Sequence, residues 1–162
     1  MTKNVLVTGG NRGIGLEIVK GMLSEGYKVL MGCRDEEAGL EAKKDIVGGD
    51  LHIIEMPLDN ETAIVDAFVR AEAVYGPVDI LINNAGILDD TPSYGSFAEG
   101  LKGPMCYAIT KAAINALTVK MAAVVDEAAD GKSLDVTVNS MTPGWVHTRM
   151  GGSDAPKTPE EG

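Results

Sequence analysis

Apolar positions along the chain switch between two periods. Short runs rich in Val, Ile and Leu read as strands: "NVLVT" (Asn4 to Thr8), "YKVLMGC" (Tyr27 to Cys33), "LHIIEM" (Leu51 to Met56) and "PVDILINN" (Pro77 to Asn84), with Pro77 tolerable because it stands at a strand start. Between them, Ile14 to Leu23, Glu36 to Val47 and Glu61 to Val74 repeat their apolar residues at helical spacing. A long helix rich in Ala, Ile, Leu and Val is predicted from about Met105 to Ala129, and "LDVTVNSM" (Leu134 to Met141) reads as a fifth strand. Strands alternating with helices predict an α/β fold, a three-layer, doubly wound Rossmann-type parallel sheet. Right-handed crossovers give it the order 3-2-1-4-5. About 20 residues without periodicity separate the fourth strand from the long helix, which marks a functional loop or a shortened region.

Composition narrows the class. A chain of 162 residues, 44% hydrophobic and 23% charged, suits one globular domain, expected over 1–150, with the Gly-, Pro- and charge-rich 151–162 as a flexible polar tail. No apolar run approaches the roughly 20 residues of a membrane span, and no charged-plus-apolar leader precedes Asn4, so a soluble, cytoplasmic protein is expected. The formal charge of −10 disfavours nucleic acid and anionic membranes as partners. Cys33 and Cys106 lie far apart without Cys/His spacing, so no metal site is expected.

The chemistry begins at "TGGNRGIG" (Thr8 to Gly15), which sets glycines at 9, 13 and 15 between a strand and a helix. Small residues there let the backbone approach a pyrophosphate, and the helix N-terminus supplies roughly half a positive charge. Arg12 in this turn and Arg34 after the second strand suit the 2′-phosphate of NADP(H), whereas an acid at the strand end would favour a free hydroxyl. Asp35 leaves a second option open, because it could instead pair with Arg34 on the surface.

Four segments then occur in a fixed order: "TGGNRGIG", "NNAG" (Asn83 to Gly86), "YAITK" (Tyr107 to Lys111) and "PGWVHT" (Pro143 to Thr148). On these the chain resembles the short-chain dehydrogenase/reductase family, and within it the NADPH-dependent carbonyl reductases. The resemblance implies an NADPH-dependent oxidoreductase that transfers a hydride between the nicotinamide and a small-molecule carbonyl or alcohol. It assigns the cofactor to Gly9, Asn11, Arg12, Gly13, Ile14, Gly15, Arg34, Asp59, Asn83, Ala85, Gly86, Lys111, Pro143, Gly144, Val146 and Thr148. Asp59 would hold the adenine amino group, with helix capping as its structural alternative.

Carbonyl reduction builds charge on oxygen and needs a proton donor within hydrogen-bond reach. Tyr107 would be that general acid. A tyrosine ordinarily titrates near 10, and the ammonium of Lys111, four residues on and on the same helix face, favours the tyrosinate. By resemblance Lys111 also holds the nicotinamide ribose.

The pattern breaks between Gly86 and Tyr107, only 21 positions, where the family places a further helix and a further strand carrying a serine that polarises the substrate. The segment reads as an internal deletion, and the chain also stops soon after "PGWVHT", short of the family's substrate-covering region. Ser93, 14 positions before Tyr107, is the candidate for the serine, with Ser96 beside it as an alternative. A catalytically impaired NADP(H)-binding module is therefore the second reading. The family commonly dimerises through the deleted helix together with the tyrosine helix, so a homo-oligomer through Met105 to Ala129 is a further expectation.

Overall fold

A computed structural model of the chain describes residues 2–86, 105–129 and 136–162, with 105–110 described by their backbone alone. Ser93 and Ser96 lie outside the described residues, as does the side chain of Tyr107. The described residues divide into two compact units, one made of 1–86 with 144–162 and the other within 87–143.

The first unit is built on four parallel strands, β1 (Asn4–Thr8), β2 (Lys28–Cys33), β3 (Asp50–Glu55) and β4 (Ile80–Ile82), in the order β3-β2-β1-β4. Helices α1 (Gly13–Ser24), α2 (Glu36–Lys43) and α3 (Glu61–Tyr75) make the crossovers. The alternation of side chains along each strand explains why the runs are apolar throughout. Val5, Val7, Val29 and Met31 pack on one face with Val19 of α1, while Leu6 and Leu30 pack on the other with Ala67 and Ala71 of α3. Every residue of β1 is buried.

Helix starts follow local chemistry. The carboxylate of Asp35 accepts from the amide of Ala38 at 2.8 Å and caps α2, and Asn60 does the same for α3 by accepting from Ala63 at 3.0 Å. Helix α2 stops at Lys43, short of the expected Val47, where the backbone tightens into three-residue turns, the Lys44 amide donating to the Glu41 carbonyl and the Ile46 amide to the Lys43 carbonyl, each at 3.1 Å. Strand β4 is shorter than Pro77 to Asn84. The Pro77 carbonyl accepts from the Asn4 side chain at 2.8 Å, and Asn84 turns its own side chain toward the end of β1.

The fifth strand is a correction. Its described part, Val136 to Met141, forms no strand and is largely exposed, so among the described residues the sheet has four strands and the order ends at β4. The β-branched residues that suggested it favour a strand only where a neighbouring edge and a covered face receive them.

In the second unit α4 (Met105–Ala129) spans the range expected from its composition. Thr118 bonds back to the Ile114 carbonyl at 2.9 Å. No described helix is long and apolar enough to cross a membrane.

In the first unit, 144–162 form a closed ring of turns beside α1. Val146 and Lys157 pair in an isolated parallel bridge, and the amide of His147 donates to the Lys157 carbonyl at 2.7 Å. A 3-10 turn at Pro159–Glu161, with a capping box between Thr158 and Glu161, packs against α1.

Candidate functional site

The chain leaves β1 toward β2 and β3 on one side and returns to β4 on the other, so the sheet's switch point lies between β1 and β4. Open α/β sheets bind ligands in the crevice at the carboxyl ends of such strands. Here those ends carry the glycine turn and the Asn83 to Gly86 turn.

The two turns are laced together. The Asn84 side-chain amide donates to the carbonyls of Thr8 and Gly9 at 3.0 and 3.1 Å, and the Thr8 hydroxyl accepts from the Ala85 amide at 3.1 Å. Close packing also dictates the glycines. A Cβ on Gly15 would stand 2.2 Å from the Gly9 carbonyl oxygen, and one on Gly9, at φ +63°, would stand 3.0 Å from the Ala85 backbone. Sequence reading nominated Asn83 but missed Asn84 and Thr8. Only the geometry tells the members of an Asn doublet apart, because it sends one side chain to solvent and the other to β1.

Helix α1 differs from α2 and α3 in its start. Arg12 occupies the N-cap position in extended conformation with no side-chain cap, and no acidic residue stands in the first turn. The first amides of α1 and its dipole are thus left for a ligand rather than for a side chain. The positive φ of Gly9 and Gly13 brings the backbone round to them. Asn11 and Ile14, half-buried, complete the turn.

Arg12 and Arg34 are exposed, and neither joins an ion pair among the described residues. Asp35 spends its carboxylate on the start of α2, so the surface pairing with Arg34 left open by the sequence does not form. Asp59 is exposed and does not cap α3, since Asn60 takes that role.

Residues 144–148 come up to the glycine turn at Gly13. Gly144 turns at φ +81°, Val146 is buried, and the Thr148 methyl lies 3.3 Å from where a Gly13 Cβ would be. Asn83 and Gly86 are exposed and Ala85 half-buried at the end of β4. Tyr107, Lys111 and Pro143 belong to the other unit. Tyr107 and Lys111 stand one helical turn apart on α4, and Lys111 is half-buried. Cys33 is a buried thiol whose pKa is pushed up to about 11, first by burial and then by Asp35, so it stays a neutral core residue. Among the described residues no cluster of His, Cys, Asp or Glu could hold a metal.

The family model for short chain dehydrogenase matches residues 3–99. The chain belongs to the short-chain dehydrogenase/reductase family. An acetoacetyl-CoA reductase of Rhizobium meliloti is 30% identical over 192 residues, covering 93% of this chain and 76% of that protein. A short chain dehydrogenase/reductase of Gibberella zeae is likewise 30% identical, over 92% of this chain and 47% of its own length, so the chain spans about half of that relative. Among solved structures, a metagenomic short-chain oxidoreductase in complex with NADP is 33% identical with a TM-score of 0.50, over 52% of this chain and 39% of that one. These likenesses place the glycine turn, β1 to β4 and the helices between them within a dehydrogenase/reductase framework.

Proposed function

We propose that the chain acts as an NADP(H)-dependent oxidoreductase on a small carbonyl or alcohol substrate. The observation that carries this reading is the uncapped N-terminus of α1 inside a glycine turn, beside two arginines that no carboxylate engages among the described residues. The donor set fits a phosphorylated dinucleotide. The amides of 13–15 would hold the pyrophosphate, and Arg12 and Arg34 would offer planar, bidentate donors to a 2′-phosphate. The dinucleotide in the related metagenomic oxidoreductase, NADP, agrees with that choice.

When bound, the nicotinamide supplies or takes the hydride. The chain's own residues do the rest. Asp59 would accept from the adenine amino group, and Asn83, Ala85 and Gly86 would line the ribose side. Pro143, Gly144, Val146 and Thr148 would form the wall against the nicotinamide and its carboxamide. Tyr107 would hand a proton to the substrate oxygen, with the Lys111 ammonium favouring its anion and holding the ribose hydroxyls. Ser93 is the nominee to polarise the substrate. The long, Ala-rich α4 is the expected face for pairing with a second copy.

Following NADPH absorbance with ketones, diones and quinones, for the chain and for Tyr107→Phe, tests the reading. Turnover lost by at least about a hundredfold in Tyr107→Phe, the weight of one positioned proton donor, supports it. NADPH binding without turnover in the unaltered chain favours a cofactor-binding module instead, and tighter NADH than NADPH binding overturns the cofactor choice.

A further inference from the structure

Within the ring of residues 144–162, one backbone unit serves two side chains. The amide of Gly151 donates to the Thr148 hydroxyl oxygen at 3.0 Å, and the Gly151 carbonyl accepts from the Trp145 indole nitrogen at 2.8 Å. No other residue type fits there, because a Cβ on Gly151 would stand 1.9 Å from the Val146 carbonyl oxygen. Thr148 is also held from the opposite side, its methyl against Gly13. Trp145 and Thr148 flank buried Val146, so the backbone of a single residue ties both ends of this short segment.

We propose that Gly151 is a positioning residue for the nicotinamide wall, acting through Thr148 and Trp145. This rests on the cofactor reading above. A hydroxyl has one proton to donate and two lone pairs. Once the Gly151 amide occupies a lone pair, the Thr148 proton has only a loose contact, to the Val146 carbonyl at 3.5 Å. The hydroxyl is thereby presented as a donor, the polarity that a carboxamide oxygen requires. The carbonyl of the same residue pins the indole by its edge and leaves the side chain 56% exposed.

A purely structural role makes a different prediction. If Thr148 only closes the turn through the 148–152 bonds, Gly151→Ala lowers stability but leaves the affinity for NADPH unchanged in the folded fraction. The test uses the full chain, Gly151→Ala, Thr148→Val and the double variant, with NADPH titrated by calorimetry. Trp145 is the chain's single tryptophan, so its emission reports the clamp directly. Each single variant is expected to raise the Kd about tenfold, the loss of one well-placed hydrogen bond, and the double variant to be no worse than either, because both remove the same interaction. Without cofactor, Gly151→Ala is expected to shift the indole emission to longer wavelength and make it easier to quench. Wild-type affinity in Gly151→Ala, additive losses in the double variant, or unchanged emission would each overturn the proposal. Thr148→Val adds no atoms at 151 and keeps the test decisive if Gly151→Ala fails to fold. Failure of the unaltered chain to bind NADPH would sink the cofactor reading and, with it, the cofactor arm, while the emission still decides whether Gly151 holds Trp145.

Discussion

The four-stranded sheet and helix α4 are both rich in aliphatic residues, yet they treat them in opposite ways. Val5, Leu6, Val7, Val29, Leu30 and Met31 are wholly buried, whereas Ile114, Leu117, Val119, Met121 and Val124 of α4 are all exposed. Most of the groups proposed to bind the dinucleotide therefore stand on a scaffold whose side chains are locked by packing, and the proposed proton donor, with Lys111, stands on a helix where most described aliphatic side chains meet water. Packed scaffolds hold geometry, and catalysis is more sensitive than binding to small errors of position. Cofactor binding is thus the sturdier of the two proposed properties, and turnover the more easily lost.

The contrast is sharpest at Leu30. It sits between β1 and β3 on the face covered by α3, so truncation leaves a cavity with no room to collapse. Leu30→Ala is expected to cost about 3 kcal/mol of stability, read from the midpoint of urea unfolding at constant m-value. A loss below about 1 kcal/mol would show that the sheet is looser than its burial implies.

The glycine turn should respond nearly as strongly. A methyl group on Gly15 would run into the Gly9 carbonyl and, at 2.4 Å, into the Asn84 side-chain nitrogen, so strand end and helix start must move apart. Gly15→Ala is expected to cost about 2 kcal/mol and to abolish measurable NADPH binding by calorimetry. Retained binding would place the nucleotide elsewhere on the chain.

Much of this was readable beforehand, for physical reasons. The first four strands announced themselves because a parallel sheet covered on both faces demands continuous apolar runs, as in "NVLVT" and "KVLMGC". The glycine turn was legible because close backbone approach excludes side chains. The fifth strand misled because Val136 and Val138 carry a preference that only a receiving edge makes real. Whether Asp59 or Asn60 caps α3 could not be read from two adjacent acceptors, since backbone dihedrals decide between them. The tie between Thr148, Gly151 and Trp145 was hidden because a hydroxyl, a glycine and an indole three and six residues apart meet only in one particular turn conformation.

A smaller effect separates capping from cofactor choice. Asp35→Ala removes the side-chain acceptor at the start of α2 and is expected to cost about 1 kcal/mol in thermal or urea unfolding. Because that carboxylate is engaged by the Ala38 amide rather than by Arg34, the ratio of NADPH to NADH affinity should stay the same. A ratio that rises severalfold would mean that Asp35 had been competing for the guanidinium after all.

Leu117 probes the other side of the comparison, and its expected effect is the smallest. At 57% exposed it has already lost little contact with water, so Leu117→Ala removes little buried surface and should change stability by less than about 0.5 kcal/mol. Alanine's higher helix propensity offsets part of even that. The measurement is urea unfolding of the pair Leu30→Ala and Leu117→Ala, run at two protein concentrations. If Leu117→Ala approaches the cost of Leu30→Ala and the cost grows with concentration, α4 is covered by a second copy, since association stabilises the folded state by mass action. If the cost is large and independent of concentration, α4 is covered within its own chain. Either result would erase the contrast between the two regions and make turnover no more fragile than cofactor binding.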